Sequence, residues 1–491
     1  MKRVAVVGAG LGGLAAAIHL ARGGYRVVVL EKNGRVGGKM NVVAEKGYRF
    51  DTGPTLLTMP FLLQDLFAVA GRTLEEHLDL VRLDTICRYC WPDGTRLDAS
   101  SNVEAMEAEI SRISPRDAGR YGPFLERAGK IYAAGSGPFL FTPFMSLGVG
   151  GMLRQARHLR ALLAIDAFRT LDQAVSASFS DPRLRQLFNR FATYNGSSPF
   201  LAPATLQIIP YVEFAMGGWY IRGGMYRLAE ALATVARDLG VEIRTGLPVT
   251  RIVSAGRRVS GVLDANGEMH GADAVICNAD ALYARANLLP DAGFRPEGGA
   301  EPSMAGFVML LGIRRRFPEL AQHTIFFSSD YREEFDAIFR RGTPPEDPTV
   351  YLSLSCLQDE GHAPPGSSNL FVLVNAPPLS GAFDWGEQTA RYREKVLGKI
   401  RSQGVMIRDE EIEVEKIVTP VEFAGMYNAH RGSIYGTSSN GRMAAFVRPP
   451  NRSRALRNLY FAGGSAHPGG GIPLVLLSGK LAAGLLMEDL R

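Results

Sequence analysis

The chain has 491 residues, 46% of them hydrophobic, and a mean hydropathy near zero, so it exceeds one ordinary core and predicts a folded protein of two domains. A formal net charge of +6 and a pI near 9.1 favour an anionic surface, but no stretch interleaves Lys and Arg with aromatics. This excludes a nucleic-acid groove and leaves membrane lipid as the expected anion.

In chain order, the apolar β-branched run at residues 4–7 predicts a central parallel strand. It feeds Gly8, Gly10, Gly12 and Gly13, which contain the GxGxxG spacing of a dinucleotide site. Gly8 permits the tight turn and Gly10 a close approach to pyrophosphate. Gly13 lets a predicted helix over Leu11–Arg22 pack on the sheet with its N-terminus toward the phosphates. A second strand at 27–30 places Glu31 eighteen residues after Gly13, positioned to bind the adenosine ribose hydroxyls. No signal peptide precedes the first strand, so the expected location is cytoplasmic.

Arg35, Gly37, Gly38 and Lys39 then give an ExxxRxGG pattern, followed by Phe50, Asp51, Thr52, Gly53 and Pro54. This looks like the flavoprotein version of the fold, in which the glycine pair and basic residues extend the grip toward a flavin. FAD is therefore expected rather than NAD.

Among the four cysteines, Cys87 and Cys90 read as CxxC, but ICRYCW predicts a strand that sends them to opposite faces. No redox role and no metal site are expected. Residues 101–190 are helical in pattern, as in a cap. The uncharged stretch 131–153 is long enough to cross a membrane, but Pro138, Pro143 and five glycines break it. Next to it, Arg154, Arg157, His158 and Arg160 alternate with Leu153, Leu159, Leu162 and Leu163. That pattern suits a helix lying in a bilayer interface, and equally a core-packed helix with a solvated basic face. Phe139, Phe141, Phe144, Tyr211, Phe214, Trp219 and Tyr220 are candidates to line an apolar channel, with plain core packing as the alternative for each.

A helix at 225–239 and strands at 241–244, 249–253 and 273–277 return to αβ patterning, ending in Asn278. Apolar strands at 304–313, 349–356 and 370–375 suit a second sheet, with a helix near 389–403 after them. The last stretch is a strand, a glycine turn and a closing helix. In it Gly469, Gly470, Gly471, Ile472 and Pro473 let the backbone pass a planar ring and start a helix whose positive end could face a reduced flavin. His467 is the one candidate acid or base there.

Three blocks resemble the bacterial phytoene desaturase family, the FAD-dependent carotenoid and diapocarotenoid desaturases and isomerases. They are VAVVGAGLGGLAAAIHLARGGYRVVVLEKNGRVGGK with FDTGPTLL; NGSSPFLAPATLQIIPYVEFAMGGWYIRGGMYRLAEALA; and NLYFAGGSAHPGGGIPLVLLSGK. The first is shared across a superfamily, while the other two are more diagnostic. HPGGGIP departs from the HPGAGIP of many members, which bears on the substrate subgroup.

The resemblance implies an α/β fold: a discontinuous Rossmann-like FAD-binding domain (1–75, 222–285 and 415–491) with an inserted α+β substrate domain (76–221 and 286–414). That inserted domain would carry the second sheet and the helical, membrane-contacting cap. The implied cofactor-binding residues are Gly8, Gly10, Gly12, Gly13, Glu31, Lys32, Arg35, Gly38, Lys39, Asp51, Gly53, Val249, Asn278, Gly463, Gly464, Gly471 and Ile472. The implied reaction is desaturation of phytoene, diapophytoene or a later acyclic carotene by hydride transfer to flavin. Electrons would pass to a quinone or oxygen, and the enzyme would sit peripherally on the inner face of the cell membrane. Carotenoid oxygenation or isomerisation, an amine oxidase-like activity and a non-catalytic lipid carrier are the alternatives.

Overall fold

The computed structural model describes all residues except 144–145, 147–164, 290–300 and 442–447. Phe144 and the basic amphipathic stretch from Leu153 to Leu163 lie outside the described residues.

A five-stranded parallel sheet runs in the order Leu459–Phe461, Ala274–Cys277, Arg3–Val7, Arg26–Leu30, Glu242–Arg244. Its strands come from three distant stretches of chain, and the run at 4–7 is buried at its centre. A strand covered on both faces needs no polar alternation, which is why VAVV is apolar throughout. The expected helix Leu11–Arg22 is present and packs against both Arg227–Asp238 and the closing helix Ile472–Asp489. That last contact is backbone-close: a Cβ on Gly479 would sit 2.3 Å from the Gly12 carbonyl oxygen. The opposite face of the sheet is covered with help from an antiparallel ribbon, Val249–Ala255, Arg258–Asp264 and Met269–Gly271.

The second sheet has seven strands, ordered Ile412–Val418, Ala305–Ile313, Ser368–Ala376, Val350–Ser353, His323–Phe326, Cys87–Cys90, Arg96–Ala99. All pairs are antiparallel except His323–Phe326 with Cys87–Cys90. The strand expected at 349–356 stops at Ser353, and a tight turn over Ser355–Leu357 follows. Strand Ile412–Val418 belongs to this sheet, so the expected boundary at residue 415 cuts through it. After Val418, Thr419 caps the helix Pro420–Tyr427.

The helix Trp385–Ser402 packs its Trp385, Tyr392 and Val396 on one part of this sheet. The helices Val103–Ile113, Tyr121–Gly135, Leu171–Ser178 and Pro182–Asn189 enclose a separate aromatic core. Cys87 lies in that aromatic core and Cys90 in the other, as an offset of three along a strand requires. In the described part of the stretch 131–153, the helix Tyr121–Gly135 ends in a widened turn over Ser136–Leu140; residues 144–145 and 147–153 lie outside the described residues. Among the described residues no helix is long and apolar enough to cross a membrane.

Candidate flavin site

Gly8 adopts φ +95° and its N–H donates to Leu30 O at 2.8 Å, closing the turn between the first two strands. A Cβ on Gly13 would lie 2.2 Å from Gly8 O, and one on Gly10 would lie 2.9 Å from Asn278 Nδ2. The same amide donates to Gly8 O at 3.2 Å, whereas Asn278 Oδ1 is buried with no partner. A Cβ on Gly12 would come within 3.0 Å of Gly463 Cα. Asn278 thus joins the N-terminal glycine turn to the C-terminal one.

The helix Leu11–Arg22 starts at Gly10 with no side-chain cap and no acid in its first turn. Its positive end and free N–H groups are open to an anion. The closing helix repeats this: it starts at Gly471 (φ +96°), has no side-chain cap or first-turn acid, and nothing lies within 4 Å of where a Gly471 Cβ would be. Ile472 is its first residue.

At the end of the second strand, Glu31 is buried; Oε2 accepts from Ala9 N–H at 2.7 Å and Oε1 from Asn33 N–H at 2.9 Å. Each oxygen keeps a lone pair for a further donor. Leu247 N–H donates to Glu31 O at 2.8 Å, which brings Val249 alongside. Lys32 Nζ donates to Gly425 O at 2.7 Å and Asn428 Oδ1 at 2.8 Å; burial lowers its pKa and Glu31 opposes this. That ammonium ties the strand end to the helix Pro420–Tyr427.

Arg35 is exposed, with Nη1 donating to Val42 O at 3.2 Å. A Cβ on Gly38 would sit 3.2 Å from Gly10 Cα, and one on Gly53 would sit 2.4 Å from Lys39 O. Lys39 Nζ donates to the Ser433 and Ile434 carbonyls; burial lowers its pKa against the pull of Asp280. Asp51 accepts from Met225 N–H at 2.8 Å and Tyr226 N–H at 3.1 Å, holding the start of the helix Arg227–Asp238, and burial raises its pKa despite nearby Arg49.

At the other end, Gly463 (φ +92°) donates to Ser478 Oγ at 3.1 Å, and a Cβ on Gly464 would stand 3.4 Å from Gly470 Cα. His467 is buried, and burial pulls its pKa down to about 4. Its Nε2 is 2.9 Å from Thr142 O, so the neutral ring donates to a backbone carbonyl. Arg448, beside this turn, is buried and donates to Tyr435 O at 3.0 Å and Asn195 Oδ1 at 3.0 Å. Burial lowers its pKa to about 10.

These features fit FAD: an open helix start for the pyrophosphate, a fixed buried carboxylate for a ribose, and a second open helix start with space before it. The match to the family of flavin-containing amine oxidoreductases covers residues 11–487. A 4,4'-diapolycopene oxygenase of Methylomonas is 36% identical, with 100% of this chain and 99% of that protein aligned. A 1-hydroxycarotenoid 3,4-desaturase of Flavobacterium is 38% identical, with 99% of each aligned. This chain belongs to that family of FAD-dependent carotenoid desaturases and oxygenases. An oxidoreductase from Methanosarcina mazei shares the fold at TM-score 0.64 and 18% identity, covering 97% of this chain and 99% of its own.

In this carotenoid desaturase relative, the expected channel aromatics divide. Phe214 is fully buried against Phe191 and Phe188, and Tyr220 is buried with its hydroxyl donating to Asp359 at 2.6 Å. Tyr220 also lines a small cavity with Asp51, Thr55, Met225 and Phe371. Among the buried charges that the sequence did not single out are Arg190, Glu213 and Arg448. The first two had a signal, each being a lone charge inside an apolar run, LFNRFATYN and IIPYVEFAMGGW.

Proposed function

We propose that this protein introduces a double bond into an acyclic carotenoid precursor such as phytoene, diapophytoene or a later acyclic carotene. The reading rests on the two uncapped helix starts, Gly10 and Gly471, joined through Asn278, Gly463 and Gly464. FAD held there would accept a hydride, its usual chemistry. Glu31 would bind the ribose hydroxyls, the Gly10 helix start the pyrophosphate, and the Ile472 helix start the ring. The aromatic core around Phe188, Phe191 and Phe214 would align the polyene and exclude water, which is most of what removal of hydrogen from a hydrocarbon requires of a protein.

In this reading the nucleotide domain comprises residues 1–75, 222–285 and 419–491, and the rest forms the substrate domain. The protein would sit peripherally on the inner face of the cell membrane, meeting lipid through the apolar stretch 131–153 and the basic amphipathic sequence that follows it to Leu163, and pass electrons to a quinone or oxygen. Expression in cells accumulating phytoene, diapophytoene or an acyclic hydroxylated carotene, followed by pigment analysis, tests it. The expected product is two hydrogens lighter and absorbs further to the red. No change in any background would defeat the proposal. Oxygenation is the second reading, favoured by the name of the Methylomonas relative, and a terminal aldehyde in place of a new double bond would establish it.

A further inference from the structure

Arg448 is 2% exposed, and only neutral groups face its charge. Nη1 donates to Tyr435 O at 3.0 Å and lies 3.5 Å from Gly464 O, while Nη2 donates to Asn195 Oδ1 at 3.0 Å. Among the described residues no carboxylate pairs with it, and burial alone lowers its pKa, to about 10, so the guanidinium stays protonated at neutral pH. Arg190, 6% exposed, is buried to a similar degree but has Glu213 3.8 Å away. A buried charge without a counter-charge is costly, and a core built for stability alone would pair it or replace it. An anion brought nearby offsets that cost.

The guanidinium lies against the turn that opens the closing helix. A Cβ on Gly469 (φ +142°) would stand 3.1 Å from Arg448 Nε and 3.3 Å from Cζ, so the cation fills the space a side chain at 469 would need. Its charge also reaches His467, where it adds to burial in lowering the pKa. Two residues beyond Gly469, the helix Ile472–Asp489 starts at Gly471 with open space before it. A positive helix end and a full positive charge therefore converge on one turn.

We propose that Arg448 is the fixed cation that balances the negative charge flavin gains on reduction. A hydride added to the neutral ring brings two electrons and one proton, which leaves the ring with one negative charge. In a site that excludes water, a charge already held in place stabilises that form with no reorganisation. The sequence pointed to the helix start alone for this role, and Arg448 adds an integral charge to that partial one. It works through its field on the flavin, so it is a positioning residue and not a catalytic one. The inference rests on FAD occupying this turn, as in the reading above, and is independent of which polyene is oxidised.

The test measures the midpoint potential of the flavin in FAD-loaded protein, equilibrated anaerobically with a reference dye. Arg448→Gln keeps a donor but loses the charge. It should shift the two-electron reduction at least about tenfold toward the oxidised form, about 30 mV lower in potential. Arg448→Lys keeps the charge on fewer hydrogen bonds and should stay within about threefold of the natural protein. Asn195→Asp leaves the Arg448 contacts in place and sets a carboxylate on Nη2, so it should lower the potential in the same direction as Arg448→Gln. It decides the matter should Arg448→Gln not retain flavin. If Arg448 only braces the turn, the Lys and Gln variants shift the potential alike, or Asn195→Asp leaves it within about threefold; either result would overturn the proposal. Natural protein that holds no FAD would defeat the flavin site and the proposal together. Potentials that follow the charge in a protein that oxidises no carotene would defeat the desaturase reading alone and leave Arg448 in its role.

Discussion

In the nucleotide half the decisive contacts are backbone against backbone, whereas in the substrate half they are ring against ring. A Cβ on Gly13 would come 2.2 Å from Gly8 O, and one on Gly479 would come 2.3 Å from Gly12 O. In the substrate half, the Phe188 ring stands 4.6 Å from both Phe124 and Phe179. Backbone contacts of that closeness admit glycine alone, so they leave a readable motif. Ring contacts accept other apolar residues of similar volume, so they leave only composition.

The sharpest probe of this difference is Phe188→Ala, which opens a cavity in the aromatic core and should cost about 3–5 kcal/mol of stability. Denaturant titration should show that loss while flavin affinity per folded molecule stays unchanged. Gly13→Ala should act the other way, costing up to about 3 kcal/mol by overpacking and also depleting bound flavin. If both variants lose flavin equally, the two halves are not separable in this way.

The same contrast explains what could be read in advance. The strand at 4–7, the helix Leu11–Arg22 and Glu31 were legible because a glycine turn with backbone-close packing and a carboxylate at a strand end each require one residue type at one spacing. In the second sheet, Ala305–Ile313, Val350–Ser353, Ser368–Ala376 and Cys87–Cys90 were legible as strands, whereas His323–Phe326, Arg96–Ala99 and Ile412–Val418 were not; IEVEKIV alternates and shows nothing of which sheet it joins, so the expected boundary at 415 fell inside it. Arg190 and Glu213 were not legible as a pair. They lie 23 residues apart and meet only because the chain folds back between Arg190–Asn195 and Tyr211–Ala215.

His467 offers a smaller effect that separates a structural ring from an acid–base one. Burial holds it at about 4, against 6.5 in an unfolded chain, so the unfolded state binds more protons between those values. Its contribution is complete above pH 6.5 and is lost as pH falls toward 4. At pH 5 the loss is about 2 kcal/mol. His467→Gln keeps a donor for Thr142 O without a titrating ring. Its denaturation midpoint should fall less than that of the natural protein between pH 7 and pH 5, with turnover at pH 7 within about threefold. A far larger loss of turnover would return His467 to the chemistry.

The smallest effect is expected at the join of strand and nucleotide. Glu31→Ala removes the acceptor of the Ala9 and Asn33 N–H groups together with the ribose contacts proposed for it, and should weaken flavin retention about tenfold. Full flavin content after dialysis would contradict the assignment of Glu31.

The central claim is that this chain oxidises a polyene carbon–carbon bond using flavin as the acceptor. It is tested most directly by mixing FAD-loaded protein anaerobically with vesicles of an acyclic carotene precursor, while following flavin absorbance and pigment together. The account predicts one flavin bleached for each double bond formed. Pigment that rearranges while the flavin stays oxidised, or flavin that stays oxidised with every acyclic precursor, would contradict it.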